Sequence, residues 1–379
     1  MLKYILIACV AALAILIAIG ATSYQYLKPK VTIPTELSPE DLHDVLDKIR
    51  SDNNLPSLSA AVIDQNGIRH AAYTGVRKTG DSTQVTPQDL YHIGSCTKAM
   101  TAVLTAMYID EGHLDWASTL IDIFPEMDTI IHESYKASTV YDLLTHTAGI
   151  TPNTPEFHNY KDLPIQERRY KIINQALRDP DDHQRGDYVY SNLGYTIVGT
   201  MLERLTSQSW EELMQERIFS PLNMTTAGFG VPSSIDQVDQ PWGHYKPLGF
   251  GDWTSIQQDN PASMGPAGTV HCTLEDWGKF ISFQLLDNDT TLLSKPQRQK
   301  LLEVHKDDYA PGWVVVNRSW AKGKAYTHAG SNTMNYALAW VAPNLERAYI
   351  VCTNSSSANS HQICDGVIGA LIKVDMNDN

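Results

Sequence analysis

Strand-like runs lie at both ends of this chain, with helical patterns between them, and this order restricts the possible folds more than any other feature. Near the N-terminus, Asn66-Gly67 is typical of a two-residue hairpin turn between runs at 58–64 and 68–75. Later strand-like runs occupy 312–316, 325–328, 336–341 and 348–353, and an apolar helix follows at 363–374. Strands from both ends share one sheet when the middle of the chain is an insertion. The sequence therefore predicts an α/β (α+β) fold, with an antiparallel sheet flanked by helices and an inserted all-helical domain.

Local patterns give boundaries for the two parts of this fold. Residues 31–98 and 261–379 form the predicted α/β part, and 99–260 form the predicted helical part. Ser38-Pro39 predicts the start of the first helix, as an N-cap followed by proline.

The charge and cysteine content exclude several classes of protein. The 379 residues include 29 Lys+Arg and 43 Asp+Glu, so the formal net charge is −14. Nucleic acid is not expected as a partner, because its phosphates are bound by clustered cations and the sequence has no basic stripe. The five cysteines are scattered without a C-x-x-C spacing, so we predict neither a disulfide scaffold nor a metal site. Pairing of Cys352 with Cys364 stays open, and no cofactor is expected.

An apolar segment precedes the predicted domain. Residues 4–21 are almost wholly apolar and lie between Lys3 and Lys28. This length can span a bilayer and exceeds the usual apolar core of a cleaved signal, so an uncleaved anchor is favoured over a signal peptide. We therefore expect residues 1–30 to be an anchor or signal plus linker. The domain is then periplasmic or on the cell surface, held to the membrane by this segment or secreted after cleavage.

Residues 94–98 (GSCTK) are the first candidate catalytic motif. If a helix starts here, Ser95 and Lys98 lie on one face, three residues apart. A serine hydroxyl needs a base, and a desolvated lysine can lose enough pKa to serve as one. The Ser95 amide, at the start of the helix, is suited to bind an oxyanion. Alone the motif is weak, because residues 319–322 (SWAK) have the same spacing on a predicted hairpin, where no chemistry is expected. A capped helix start with an exposed lysine would also explain an isolated motif of this kind.

Two further motifs carry weak signals of their own. In Tyr190-Ser191-Asn192, a phenol beside a lysine can act as general base and Asn192 can bind a substrate amide. Taken by itself, this motif is better explained as a turn on a packed helix. In the third motif, 328–331 (HAGS), His328 would face the site from a strand. Gly330 would allow close approach of substrate, and the Ser331 amide would be a second oxyanion donor. An ordinary strand histidine is the alternative reading of His328.

In this order and spacing, the three motifs resemble the serine β-lactamase and penicillin-binding-protein superfamily. They are most similar to its class C β-lactamase-like branch, which includes D-aminopeptidases, D-alanyl-D-alanine carboxypeptidases and esterases. Surrounding segments resemble that branch as well: 91–95 (YHIGS), 143–150 (LLTHTAGI), 221–224 (PLNM), 228–230 (GFG) and 265–268 (GPAG). The resemblance covers about 37–372 and implies the β-lactamase/transpeptidase-like fold.

The resemblance also implies roles for the motif residues. Ser95 matches the acylated nucleophile, Lys98 its partner and Tyr190 the tyrosine general base. The remaining matches are substrate-binding positions: Asn192, His328, Gly330 and Ser331. The amides of Ser95 and Ser331 would form the oxyanion hole. Whether Lys98 or Tyr190 is the dominant base stays open.

The third motif departs from the β-lactamases of this branch, which typically have Lys-Thr-Gly where this chain has His-Ala-Gly. A literal Lys-Thr-Gly occurs at 78–80, but it precedes the nucleophile, where the family places a loop. A mostly neutral histidine grips a substrate carboxylate less strongly than a lysine. We therefore expect an exported serine hydrolase acting on an ester, amide or D-amino-acid peptide, which includes peptides derived from the cell wall. The alternatives are a true β-lactamase or D-alanyl-D-alanine carboxypeptidase, and a non-catalytic homologue that only binds such a peptide or a partner protein. The oligomeric state stays open.

Overall fold

The computed structural model describes residues 29–180, 182–285 and 292–378. The predicted membrane segment at 4–21 lies outside these residues, as does Cys9. In the described part of the chain, no helix has both the length and the hydropathy to cross a membrane. The anchor or signal therefore stays a prediction.

One large sheet joins the two ends of the chain. The strands of the described residues are β1 Ser57–Asp64, β2 Gly67–Gly75, β3 Tyr91–His92, β4 Gly228–Phe229, β5 Gly243–Tyr245, β6 Thr254–Ile256, β7 Val270–Cys272, β8 Tyr309–Ala310, β9 Trp313–Arg318, β10 Gly323–Ser331, β11 Tyr336–Ala342 and β12 Arg347–Thr353. Seven of them form a sheet in the order β2-β1-β12-β11-β10-β9-β8, with antiparallel neighbours. Ser59 of β1 lies opposite Cys352 of β12. This pairing confirms the predicted sheet built from distant segments.

Helices cover both faces of this sheet and alternate with loops through the first part of the inserted region, up to Phe219. The α-helices are α1 Leu42–Asp52, α2 Thr97–Asp110, α3 Leu120–Ile123, α4 Glu133–Lys136, α5 Val140–Leu144, α6 Ile165–Ala176, α7 Asn192–Thr206, α8 Trp210–Met214, α9 Gly265–Gly268, α10 Leu274–Leu285, α11 Lys295–Leu301 and α12 Ser360–Asn377. A π-helical turn at Gln215–Phe219 continues α8. After it, residues 220–260 form loops and the short strands β4, β5 and β6, so the insertion is helical only in its first part. Gly, Pro and Asp are frequent in this stretch and do not favour helix.

The alternation of side chains along β1 explains why the sheet has helices on both faces. Ala60 and Val62 belong to the core formed with α1 and α12, whereas Ala61 and Ile63 belong to the core formed with α10 and the inserted helices. Successive side chains of a strand point to opposite faces, so an apolar β1 needs a covering layer on each side.

The structure bears on three local interpretations of the sequence. The first helix begins at Leu42, because the Ser38 hydroxyl donates to Asp41 Oδ2 (2.8 Å) rather than capping a helix at Pro39. Cys352 and Cys364 are both buried and unpaired, so the pairing left open by the sequence does not form. The predicted hairpin is present, but its turn lies one residue earlier: Asp64 pairs with Gly67, and Gln65-Asn66 connect them.

A second, three-stranded sheet leads the chain to the candidate nucleophile. Its order is β3-β7-β4, and the Ile93 N–H donates to Val270 O (3.0 Å) just beyond β3. A single 3₁₀ turn at Gly94–Cys96 then continues directly into α2. This turn packs against β10 of the large sheet and against α9. Ser95 therefore lies where the two sheets and the inserted helices meet.

Candidate active site

The backbone around Ser95 is held in a tight turn. Gly94 has a φ of +50°, and a Cβ on it would lie 2.3 Å from the Ser331 N atom, so only glycine fits. Residues 91–109 are buried except Ser95, which is partly exposed. The fold therefore presents the Ser95 hydroxyl at the surface of an otherwise buried segment.

Lys98 lies one helical turn further and is fully buried. Its Nζ atom is 3.1 Å from Ser95 Oγ, 2.7 Å from Asn192 Oδ1 and 2.7 Å from the Ala267 carbonyl oxygen. The predicted proximity of Ser95 and Lys98 is confirmed in this geometry, and Asn192 of the second motif completes the contact. The Ala267 carbonyl was not predicted, because a backbone acceptor gives no signal in side-chain patterns.

Burial lowers the pKa of Lys98 to about 7, since the desolvated site disfavours the ammonium form. A neutral amine has two N–H donors and one lone pair. The oxygens of Asn192 and Ala267 can only accept, so they take the two donors. The lone pair is then left for the Ser95 hydroxyl, and the arrangement suits Lys98 as the base that removes its proton.

The second motif is placed by the start of α7. Ser191 is the N-cap: its Oγ accepts from the Gly194 N–H (3.0 Å) and donates to Thr151 O (2.7 Å). The Asn192 Nδ2 donates to Asn153 Oδ1 (2.9 Å), which orients the Asn192 oxygen towards Lys98. The ring of Tyr190 lies 4.8 Å from Lys98 Nζ. The structure therefore brings the first two motifs together.

Burial raises the pKa of the Tyr190 phenol, although a hydrogen bond with Ser95 acts in the opposite direction. The ring of His146 lies 4.3 Å from the Tyr190 ring, centroid to centroid. His146 Nδ1 also accepts from the Ser191 N–H (3.0 Å), so this histidine supports the motif from behind. Its segment, 143–150, was noted in the sequence, but no role for His146 was derived there.

The third motif lies on β10 against the nucleophile turn. A Cβ on Gly330 would lie 1.9 Å from Ile93 O and 2.8 Å from Ser95 N, so the two backbones are in direct contact. The Ser331 N atom lies beside Gly94, 2.3 Å from the position of an added Gly94 Cβ. The amide nitrogens of Ser95 and Ser331 are therefore both next to the nucleophile turn, where the predicted oxyanion hole would form.

His328 is buried on the same strand, with both ring nitrogens occupied. Nδ1 is 2.7 Å from Ala329 O, which can only accept, so Nδ1 carries the proton. Nε2 then accepts from the Tyr309 hydroxyl (3.1 Å). Burial and the nearby Lys98 lower the pKa of His328 to about 3, so the ring is neutral. The predicted binding of substrate by His328 would require one of these two hydrogen bonds to break; it stays a prediction.

The remaining candidates lie elsewhere. Lys78 is in a turn after β2, where its Nζ stacks 3.6 Å from the centroid of the Trp242 ring, and it belongs to none of the three motifs. Cys96, the residue after the candidate nucleophile, is buried and its thiol donates to His328 O (3.3 Å), so it is part of the core. In the described ranges, no three His, Cys, Asp or Glu side chains form a group that could hold a metal ion.

Comparisons with known proteins agree with this fold and geometry. Residues 42–369 match the family described as Beta-lactamase. The chain therefore belongs to the beta-lactamase family and is a serine hydrolase of the β-lactamase and penicillin-binding-protein type.

Individual relatives are distant. Penicillin-binding protein 4 of Amycolatopsis lactamdurans is 25% identical over 329 residues, covering 83% of this chain and 84% of the relative. The octameric penicillin-binding protein homologue from Pyrococcus abyssi superposes with a TM-score of 0.73 at 21% identity, covering 88% of this chain and 77% of that one. A D-stereospecific amidohydrolase from a Streptomyces species superposes with a TM-score of 0.68 at 20% identity, covering 88% and 98%. These superpositions confirm the predicted fold.

Proposed function

We propose that this protein hydrolyses an ester, amide or D-amino-acid peptide through an acyl-enzyme on Ser95. The observation that carries the proposal is the buried Lys98 amine, 3.1 Å from Ser95 Oγ, with its N–H groups directed to two other acceptors. A protein that only binds a peptide has no need of a desolvated base beside a serine. The non-catalytic alternative is therefore the weaker one.

In acylation, the neutral Lys98 amine takes the Ser95 proton while Oγ bonds to the substrate carbonyl carbon. The carbonyl oxygen becomes an oxyanion, bound by the amides of Ser95 and Ser331. The leaving group departs with a proton from the Tyr190 phenol, which burial keeps protonated, and the Lys98 ammonium returns a proton to Tyr190. In deacylation, water bonds to the acyl carbon and gives one proton to Lys98. That proton returns to Ser95 Oγ as the acid product leaves.

The state of His328 bears on the choice of substrate. A neutral histidine with both nitrogens occupied offers no cation to a substrate carboxylate. Penicillins and peptides ending in D-alanine carry such a carboxylate, whereas simple esters and amides do not. This favours the esterase and amidase alternatives. The D-stereospecific amidohydrolase from Streptomyces, which has the same fold, is in line with an amide of a D-amino acid.

A panel of four substrates tests this proposal: p-nitrophenyl acetate, D-alanine p-nitroanilide, a peptide ending in D-Ala-D-Ala, and benzylpenicillin. We expect turnover of the ester or the anilide, weak or no turnover of the last two, and no turnover of any by Ser95→Ala. Faster turnover of benzylpenicillin or the D-Ala-D-Ala peptide would reverse the substrate assignment. No turnover of any substrate by folded protein would count against catalysis.

We also propose that the hydrolase domain lies outside the cytoplasm, tethered by residues 4–21. The apolar character and length of this segment support the proposal. Protease treatment of spheroplasts with an intact cytoplasmic membrane and of lysed cells, followed by immunoblotting of the membrane fraction, tests it. We expect degradation of the domain in both samples. Degradation only after lysis, or recovery of the full chain in the soluble fraction, would contradict the proposal.

A further inference from the structure

Next to the nucleophile, a histidine and a carboxylate outside the three motifs contact each other in a buried position. His92 is 1% exposed, and the side chain of Asp259 is 8% exposed. The Nε2 atom of His92 lies 2.7 Å from Asp259 Oδ1. Neither residue touches Ser95 or Lys98 through a side-chain hydrogen bond among the described contacts, so the mechanism above gives them no part.

The other nitrogen of His92 reaches the nucleophile turn. Nδ1 accepts from the N–H of Gly94 (3.1 Å), the residue that precedes Ser95. A ring whose Nδ1 accepts in this way carries its proton on Nε2. The 2.7 Å approach to Asp259 lies outside hydrogen-bond geometry, so it is a close polar contact and not a hydrogen bond. His92 therefore links the nucleophile turn to Asp259.

Asp259 continues the link to the third motif. Its Oδ1 accepts from Asn332 Nδ2 (3.0 Å), on the residue that follows Ser331. The Asn332 Oδ1 in turn accepts from the N–H groups of Met334 (3.2 Å) and Asn335 (2.9 Å), so the Asn332 side chain is fixed in place. The neighbouring Asn260 Nδ2 donates to Gly268 O (2.8 Å), and a Cβ on Gly268 would lie 3.5 Å from Ser95 N.

We propose that His92, Asp259 and Asn332 are positioning residues that fix the distance between the Ser95 and Ser331 amides, and so form the oxyanion hole. The link begins at Gly94, one residue before Ser95, and ends at Asn332, one residue after Ser331. Ser95 and Ser331 are 236 positions apart in the chain, so contacts between their segments must fix their relative position. The direct backbone contact at Gly330 is one of these contacts, and the side-chain bridge is a second one. This inference rests on the proposed function, because an oxyanion forms only if Ser95 is acylated.

Two substitutions separate the halves of the bridge. In His92→Asn, the side-chain amide reaches the Nδ1 position and can keep the contact with Gly94, but it is too short to reach Asp259. In His92→Gln, the amide reaches the Nε2 position and can keep the contact with Asp259, but it loses Gly94. His244→Asn is the matched control, because His244 is also fully buried and holds two other segments through Thr79 N and Asn354 O.

The readout is the rate at which a fluorophosphonate modifies Ser95 in the full-length protein, followed by intact mass across pH 6–9. Misplacing an oxyanion donor costs roughly 10- to 100-fold in rate. We expect a loss of that size in the plateau rate for both His92 variants and for Asp259→Ala, with the apparent pKa of the reaction unchanged. The double variant His92→Asn/Asp259→Ala should be no slower than Asp259→Ala alone, because either substitution already breaks the same bridge.

Thermal unfolding of each variant separates positioning from general instability. His244→Asn should lower the melting temperature as much as His92→Asn does, but keep the wild-type rate. Equal rates for wild type and the folded His92 variants would overturn the inference, as would a similar rate loss in His244→Asn. No reaction of the wild type at all would instead refute the proposed function.

Discussion

The Nζ atom of Lys98 lies 3.1 Å from Ser95 Oγ, and the lysine side chain is fully buried. A buried amine of this kind is poorly stabilised as an ammonium ion, and its pKa falls to about 7. The proposed mechanism therefore needs no further base for Ser95 near neutral pH.

The rate of Ser95 acylation should depend on the protonation state of Lys98. Only the neutral amine accepts the Ser95 proton, so the rate of modification by a fluorophosphonate should rise with pH, with a midpoint near 7, and level off above about pH 8. Intact-mass measurements on samples quenched at timed intervals, from pH 5.5 to 9, give this profile. Lys98→Met should show no adduct. A flat profile would exclude Lys98 as the base, and a midpoint near 10 would contradict its lowered pKa.

The same lysine makes stability depend on pH. An unfolded lysine titrates at about 10.5, so between pH 7 and 10.5 the unfolded state binds one more proton than the folded state. The free energy of unfolding should therefore rise with pH in this window for the wild type, relative to Lys98→Met. Urea unfolding of both proteins at pH 7 and pH 9.5 measures this. A constant difference between them would contradict the lowered pKa.

Acid should destabilise the protein through His328. Its folded pKa, about 3, lies below the value of 6.5 for a free histidine, so the unfolded state binds one more proton between these values. Stability present above pH 6.5 is then lost as the pH falls towards 3. His328→Asn should lose less free energy of unfolding than the wild type between pH 7 and pH 4.5. The matched control is His43→Asn, a substitution at an exposed histidine. A wild-type dependence of stability on pH in His328→Asn would refute the assignment.

Gly330 should tolerate no side chain. A Cβ there would lie 1.9 Å from Ile93 O, so Gly330→Ala must push β10 away from the nucleophile turn. A shift of this kind at an oxyanion donor lowers the rate by roughly 100-fold or more. The control is Gly369→Ala in α12, where the added Cβ would meet only Ile33 Cδ1 at 3.2 Å. Wild-type turnover by Gly330→Ala, with the ester used above, would contradict the contact.

A buried arginine that pairs with two carboxylates should be important for stability. Arg169 is fully buried, pairs with Glu203 and Glu211, and donates to the carbonyl oxygens of Ala262 (2.9 Å) and Ser263 (3.1 Å). Arg169→Met leaves two carboxylates without their cation and should cost about 3–5 kcal/mol of unfolding free energy. Arg204→Met, which breaks the exposed pair with Glu126, should cost no more than about 1 kcal/mol. Equal losses in chemical denaturation would contradict this difference.

Much of the large sheet could be predicted from the sequence, because its signals are local. The hairpin between β1 and β2 and the apolar runs that became β9 to β12 each depend on a few neighbouring residues. The helix start at Ser38 was misplaced, because the competing hydrogen bond to Asp41 has no separate pattern. The short strands between 228 and 256 have two or three residues each, too few to show a period.

The motif residues of the site were found, but not the groups that support them. Ser95, Lys98 and Asn192 meet in the structure, as the motifs predict. The Ala267 carbonyl, the His146 ring and the bridge from His92 to Asp259 were missed, because each acts through a contact between distant segments. Backbone acceptors and isolated histidines carry no spacing from which such contacts could be derived.

An activated Ser95 is tested most directly by the intact mass of the protein after treatment with a fluorophosphonate at pH 8, compared with Ser95→Ala. We expect one adduct on the wild type, mapped to Ser95 by peptide sequencing, and none on the variant. An unmodified wild type that melts cooperatively, or an adduct of equal yield on Ser95→Ala, would contradict an activated serine at this position.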